Sequence, residues 1–118
     1  MKTPFLTKEK ALEISRQIPT PFHVYDEKGI RANAAAVKEA FAWNKGYREY
    51  FAVKATPNPF LIDILREYGC GTDCSSLTEL MLSDALGMKG EEIMFSSNDT
   101  LFPAYAFYGY IRKHFCLR

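Results

Sequence analysis

The sequence predicts an α/β fold: the first three or four βα units of a (β/α)8 barrel, preceded by an amino-terminal helix and strand. Short apolar runs alternate with helical stretches of about ten residues, and repeated βα units build a parallel sheet. Lys54, Asp73 and Ser96 each end a predicted strand. Ligands of such sheets bind at the carboxyl ends of the strands, so these side chains should face one mouth, as on the catalytic face of a barrel.

Composition limits the possible partners. The 118 residues suit one domain, 1–118, and 47% hydrophobic with 25% charged residues is ordinary for a globular protein. Fifteen basic and 14 acidic residues leave a net charge of +1, too small to attract nucleic acid or an anionic membrane. Residues 1–10 lack a signal-peptide pattern and no apolar run could span a bilayer. We therefore expect a soluble, cytoplasmic protein whose partners are determined by a specific site rather than by net charge.

The amino-terminal third predicts a helix, a strand and a second helix. Thr7 caps a helix to about Gln17, and the next apolar run, 22–25, is a plausible strand. His23 within it is treated as structural. Asp26 then begins a helix that ends at Asn44 and Gly46. Its apolar stripe recurs at helical spacing, at Ile30, Ala34, Val37 and Phe41.

The first βα unit centres on residues 47–55. This run is apolar nearly throughout, the pattern of a strand covered on both faces. Asn58 can cap the following helix with Pro59 at its first position, and Gly69 suits its carboxyl end. Its buried stripe comprises Leu61, Ile64, Leu65 and Tyr68.

Two further strands follow, at 71–74 and 92–96, separated by a helix over 77–86 that Gly87 closes. Ser76 and Glu79 have the spacing of a capping box, in which each satisfies a backbone donor of the other. We therefore attribute Ser75 and Ser76 to capping. Ser96 and Ser97 remain possible mouth residues.

Lys54 is unusual because it lies in an apolar strand, where an unpaired ammonium is costly. Either the strand ends there and the side chain reaches solvent, or desolvation lowers the amine pKa and makes Lys54 a nucleophile for an aldehyde. The spacing alone favours the solvent interpretation.

Cys70, Cys74 and Cys116 form no C-x-x-C pair, which argues against a disulfide framework and against a zinc site. Cys70 and Cys74 are interpreted as buried strand-end thiols, and we predict no metal site.

Several blocks, in order, resemble the amino-terminal part of diaminopimelate decarboxylases. These blocks are TPFHVYD at 20–26, FAVKATPNP at 51–59 and GTDCSS at 71–76 with Glu79. Diaminopimelate decarboxylases belong, with ornithine and arginine decarboxylases, to the fold-type III, alanine racemase-like enzymes that use pyridoxal phosphate. The resemblance covers about 19–100, whereas 101–118 carries six aromatic residues without a clean period and matches nothing.

The resemblance implies that Lys54 holds pyridoxal 5′-phosphate as a Schiff base at the end of the first barrel strand, and that Asp73 is a secondary cofactor-binding residue. It implies decarboxylation of an amino acid, most like meso-diaminopimelate to lysine, by an enzyme that is a homodimer at full length. An amino-acid racemase or an ornithine or arginine decarboxylase is the alternative on the same scaffold. Asp73 could instead be a turn aspartate that accepts backbone N–H bonds before the Ser76 helix.

A complete barrel needs about 250 residues. The phosphate-binding loop, the acidic partner of the pyridine nitrogen, the ring-stacking histidine and the carboxy-terminal β domain of the family are not among these residues. An expressed segment, a truncated or frameshifted reading frame, or one piece of a split protein would each explain this. A non-catalytic chain that binds cofactor weakly, or only associates with a partner, is therefore the competing hypothesis of a different class.

Overall fold

The computed structural model describes residues 4–97 and 102–113, as a three-stranded parallel sheet with five α-helices. The helices are α1 (Lys8–Gln17), α2 (Glu27–Ala40), α3 (Pro59–Glu67), α4 (Leu77–Ala85) and α5 (Phe102–Lys113). The strands are β1 (Tyr50–Ala52), β2 (Gly71–Cys74) and β3 (Ile93–Phe95). The predicted α/β fold with consecutive βα units is confirmed.

The helices begin where the sequence provides caps. The side chains of Thr7, Asp26, Asn58 and Ser76 each accept a hydrogen bond from a backbone N–H in the first turn of the helix that follows. Pro59 occupies the first turn of α3, where a missing N–H costs nothing. Gly69 and Gly87 follow α3 and α4 with φ of 89° and 73°, the left-handed conformation that glycine tolerates.

The strands lie in chain order, β1-β2-β3, all parallel. Ala52 pairs with Asp73, and Asp73 pairs with Met94, so these three residues share one face of the sheet. The opposite face carries Thr72 and Cys74, both fully buried.

The core lies on that second face, beneath α3, α4 and α5. It is formed by residues that are no more than about 5% exposed, namely Val53, Ile62, Cys74, Leu80, Met88, Ile93 and Ala104. The first face has no such cover among the described residues, and Met94 on it is 45% exposed. We call the face of Ala52, Asp73 and Met94 the open face.

Two polar contacts link neighbouring helices at the periphery. Arg31 on α2 pairs with Glu67 on α3 and with Glu27 one turn before it. Arg66 on α3 donates to the carbonyls of Leu86 and Gly87, at 2.8 and 3.3 Å, where α4 leaves carbonyls without helical partners. Each βα unit is thus tied to the next.

Two predictions about elements are wrong. Residues 22–25 form no strand, because no strand of the described sheet lies beside them to pair with. The strand predicted over 47–55 covers only Tyr50–Ala52, and within the described residues it is covered on one face rather than two. The tail at 101–118, for which the sequence predicted no element, contains α5, whose Phe107 and Tyr108 pack on the core.

Candidate functional site

The carboxyl ends of the three strands bring polar residues to one edge of the sheet. Lys54 follows β1, Asp73 lies in the last pair of residues of β2, and Ser96 directly follows β3. The strands are parallel and in register, so these ends lie at the same edge. The expectation that the three residues gather at one mouth is consistent with this register.

Lys54 lies in a short 3-10 helix, Val53–Ala55, that turns the chain out of the sheet. Val53 is fully buried and anchors this turn in the core, whereas Lys54 is exposed. Among residues 4–97 and 102–113, Lys54 forms neither a hydrogen bond nor an ion pair. Within the described residues the Lys54 side chain therefore reaches solvent.

Asp73 is half-buried on the open face, where its Oδ1 accepts a hydrogen bond from the hydroxyl of Ser96. The alternative prediction, an aspartate that accepts backbone N–H bonds ahead of α4, does not describe it. That position is taken by Glu79, whose Oε2 accepts from the backbone N–H of Ser75 at 2.8 Å.

The capping box of α4 is present in a shifted form. The hydroxyl of Ser76 accepts from the N–H of Glu79 at 3.4 Å and donates to its Oε1 at 2.9 Å. Glu79 reaches the N–H of Ser75 instead of that of Ser76. Both serines are thus occupied with the start of α4, which agrees with leaving them out of the site.

The described cysteines are shielded thiols. Cys74 is buried and lies 3.2 Å from the hydroxyl of Ser83, and burial raises its pKa. Burial also raises the pKa of Cys70, which is half-buried before β2. A raised pKa keeps a thiol protonated and weakly nucleophilic. Cys116 lies outside the described residues, and within them no three His, Cys, Asp or Glu side chains are grouped to hold a metal.

One cavity has a lining that includes neither Lys54 nor Asp73. It is a groove of about 870 Å³ between α2, α3 and the approach to β1. Its apolar lining includes Ile30 and Val37 of α2 and Leu61 and Leu65 of α3. The apolar stripes that the sequence assigned to these helices therefore line a groove that is only partly filled, and sequence reasoning did not predict this groove.

The residues at the mouth fit one end of pyridoxal phosphate. An exposed amine without a partner, Lys54, can condense with the aldehyde, and the half-buried carboxylate of Asp73 lies on the neighbouring strand. A glycine-rich phosphate loop is not found among the described residues, since their glycines never cluster ahead of a helix. The described residues thus include an amine and a carboxylate whose chemistry is compatible with the aldehyde end of the cofactor.

Comparison with known proteins identifies relatives of one kind. The family profile "Pyridoxal-dependent decarboxylase, pyridoxal binding domain" matches residues 27–100. Protein TabA of Pseudomonas amygdali pv. tabaci is 46% identical over 93 residues, which are 79% of this chain and 22% of TabA. Diaminopimelate decarboxylase of Bacteroides thetaiotaomicron is 36% identical over 81 residues, 69% of this chain and 21% of that protein. The chain thus spans about a fifth of the length of these relatives.

Solved structures share the fold. Ornithine decarboxylase from Entamoeba histolytica superposes with a TM-score of 0.74 at 30% identity, over 89% of this chain and 33% of that one. Lysine decarboxylase from Selenomonas ruminantium gives a TM-score of 0.81 over 93% of this chain and 28% of that one, but at 21% identity it supports the fold alone. Within the described residues no helix is long and apolar enough to cross a membrane.

Proposed function

The chain belongs to the pyridoxal-dependent decarboxylases, whose cofactor is pyridoxal phosphate, and on that premise we propose that it is the amino-terminal barrel segment of an amino-acid decarboxylase. Lys54 is the proposed attachment point of the cofactor, and Asp73 is a secondary binding residue. The single observation that supports this most is the position of an unpaired amine at the carboxyl end of β1, inside the matched residues 27–100.

Pyridoxal phosphate, when bound, supplies an electron sink for the negative charge that loss of carbon dioxide leaves on the substrate. The role proposed for the chain's own residues is to bind the cofactor and to orient the groups at the mouth. Lys54 would provide the amine that holds the aldehyde, and the same Nζ, when not so engaged, could take part in proton transfer at the mouth. Asp73 adds a carboxylate at the end of the adjacent strand, which favours cationic groups bound there.

For the substrate, we propose meso-diaminopimelate, with lysine as the product. The support is the name of the Bacteroides relative, at 36% identity. An ornithine decarboxylase or another fold-type III enzyme, including a racemase, is the second candidate, supported by the Entamoeba structure at 30% identity. A cytoplasmic location and a homodimeric full-length enzyme stay predictions.

The first test is cofactor attachment. The purified chain is incubated with pyridoxal phosphate, reduced with borohydride and mapped by peptide mass spectrometry. We expect labelling at Lys54 to exceed that at Lys28, an exposed lysine on α2, by about tenfold. This ratio corresponds to about 1.4 kcal/mol of additional binding free energy from the residues at the mouth. Lys54→Ala should lose the visible absorbance of the bound cofactor, whereas Lys28→Ala should keep it.

Equal labelling of Lys54 and Lys28 would contradict the proposal, because pyridoxal phosphate reacts with any accessible lysine. In a full-length enzyme that contains this segment, Lys54→Ala should abolish both turnover and the cofactor absorbance, and retention of both would likewise be decisive against it.

The competing function is a chain that only associates with a partner and has no cofactor chemistry. The open face with Met94 exposed is the observation in its favour. Absence of selective Lys54 labelling together with concentration-dependent association would favour this second function, whereas a monomeric, cooperatively folding chain with full decarboxylase activity would refute it.

A further inference from the structure

Ser96 is bound to β2 through both of its donors. Its backbone N–H donates to the carbonyl of Cys74 at 2.9 Å, which continues the β2–β3 ladder one step beyond β3. Its hydroxyl donates to Oδ1 of Asp73. The backbone bond fixes where Ser96 lies, so the hydroxyl contact does not depend on a freely moving loop residue.

The register explains why Ser96, and not a direct neighbour, makes this contact. Asp73 pairs with Met94, so Ser96 lies two residues further along and is the diagonal neighbour of Asp73 on the open face. Met94 has no hydrogen-bonding group to offer. Ser97, the other serine at this edge, forms no hydrogen bond with a described residue, although the sequence indicated both serines as possible mouth residues.

A carboxylate with one oxygen held has fewer orientations than a free one. An aspartate side chain normally exchanges between rotamers, and a bonded Oδ1 restricts the direction in which Oδ2 can accept. Within residues 4–97 and 102–113, Oδ2 of Asp73 has no partner. The oxygen that Ser96 leaves unused is thus available to a group bound at the mouth.

We propose that Ser96 is a positioning residue, which orients the Asp73 carboxylate toward a cofactor attached at Lys54. This inference rests on the proposed function. Ser96 acts through Asp73 and has no direct contact with the reacting atoms.

The cofactor-free part of the test is a double-mutant cycle. Ser96→Ala, Asp73→Ala and the double variant are unfolded with urea. We expect the two single effects to be non-additive by about fivefold in the unfolding equilibrium constant, the equivalent of one net hydrogen bond. The matched cycle of Ser97→Ala with Asp73→Ala should be additive. Additivity in both cycles would show that the hydrogen bond from Ser96 does not restrain the Asp73 carboxylate.

The cofactor part uses selective labelling of Lys54 by pyridoxal phosphate and borohydride. Ser96→Ala should lower the apparent affinity for the Lys54-attached cofactor about threefold to fivefold, a change of the size of one hydrogen bond. Ser96→Thr, which keeps the hydroxyl, should restore it, and Ser97→Ala should match the wild type.

The two proposals fail in different ways. If the wild-type chain labels Lys54 selectively and Ser96→Ala does so equally well, the positioning role is overturned and the proposed function stands. If the wild-type chain shows no selectivity for Lys54, the proposed function is overturned and the role of Ser96 with it.

Discussion

At the scale of single residues, Gly71, the first residue of β2, leaves room for close contacts at the amino-terminal end of the sheet. A Cβ at Gly71 would lie 2.6 Å from the carbonyl oxygen of Glu92 and 2.7 Å from two ring carbons of Tyr50. The Tyr50 ring passes over this position, and its hydroxyl donates to the carbonyl of Glu91 at 2.7 Å. The lack of a side chain therefore lets β1 contact the segment that leads into β3, across β2.

Gly71→Ala should accordingly destabilise the chain by about 1–3 kcal/mol, the cost of forcing extra volume into a packed site. Urea unfolding followed by circular dichroism measures this. Gly109→Ala is the matched control, because no atom lies within 4 Å of its Cβ position and alanine is the better helix former by about 1 kcal/mol. A Gly71→Ala variant as stable as the Gly109→Ala variant would show that the close approach relaxes without cost.

At the scale of elements, α2 and α3 are joined by an exposed ion-pair network. The hydrogen bonds that Arg31 donates to Glu67 hold the pKa of the Glu67 carboxyl below its usual range. Donation to the carboxylates of Glu67 and Glu27 raises the pKa of Arg31. Since the pKa of Glu67 is lower in the folded state than in the unfolded state, its contribution to stability is complete at neutral pH. That contribution is lost as the pH falls through the folded pKa.

We expect wild type to have a higher urea midpoint than Glu67→Gln at pH 7. The difference should shrink as the pH falls below the ordinary glutamate pKa of about 4.3, and vanish once the pH is below the lowered pKa of the folded state. The effect is small because Arg31 and Glu67 are partly in solvent, at 33% and 55% side-chain exposure. Glu39→Gln, at an exposed glutamate of α2, controls for the loss of one surface carboxylate. A difference that persists unchanged at pH 3 would contradict the assignment.

Elements were predictable where local chemistry decides them. Thr7, Asp26, Asn58 and Ser76 cap helices as their sequence patterns indicated, because a cap depends on a few neighbouring residues. The ends of β1 were not predictable, because strand length depends on the partner strand and β2 pairs only with Tyr50–Ala52. α5 was missed because aromatic residues occur both on its packed side and on its exposed side: Tyr108 contacts Phe95 and packs on the core, whereas Tyr105 and Tyr110 are exposed.

The candidate site, like the secondary-structure elements, could be predicted from the sequence only in part. Lys54 and Asp73 could be singled out because strand ends and family-like blocks are visible along the chain. The hydrogen bond from Ser96 to Asp73 could not, because it depends on the register of β3 against β2, which determines which of two adjacent serines reaches the carboxylate.

At the scale of the whole molecule, residues 4–97 and 102–113 cover the sheet on one face only. Ala52, Asp73 and Met94 lie on the open face, and each edge strand of the described sheet has one side without a partner. Apolar surface and unpaired strand edges together favour association. A closed barrel would turn this face inward.

The chain should therefore self-associate with increasing concentration, measured by sedimentation velocity. Met94→Lys, which places a charge on the open face, should shift the distribution toward monomer by about tenfold in the dissociation constant, the size expected when one buried methionine contact is lost. Met81→Lys is the control, since Met81 on α4 is comparably exposed, at 53% against 45% for Met94. If both variants associate alike, or if wild type stays monomeric throughout, the open face is not the contact surface.

The strand order has a consequence for synthesis on the ribosome. Because β2 pairs with β1 and β3 with β2, each of these two later strands finds a partner among residues already made, and no pairing within the described sheet waits for a distant segment. A nascent chain can add one βα unit at a time onto the growing edge. The same edge that promotes association in the isolated chain would then serve as the template on which the following unit forms.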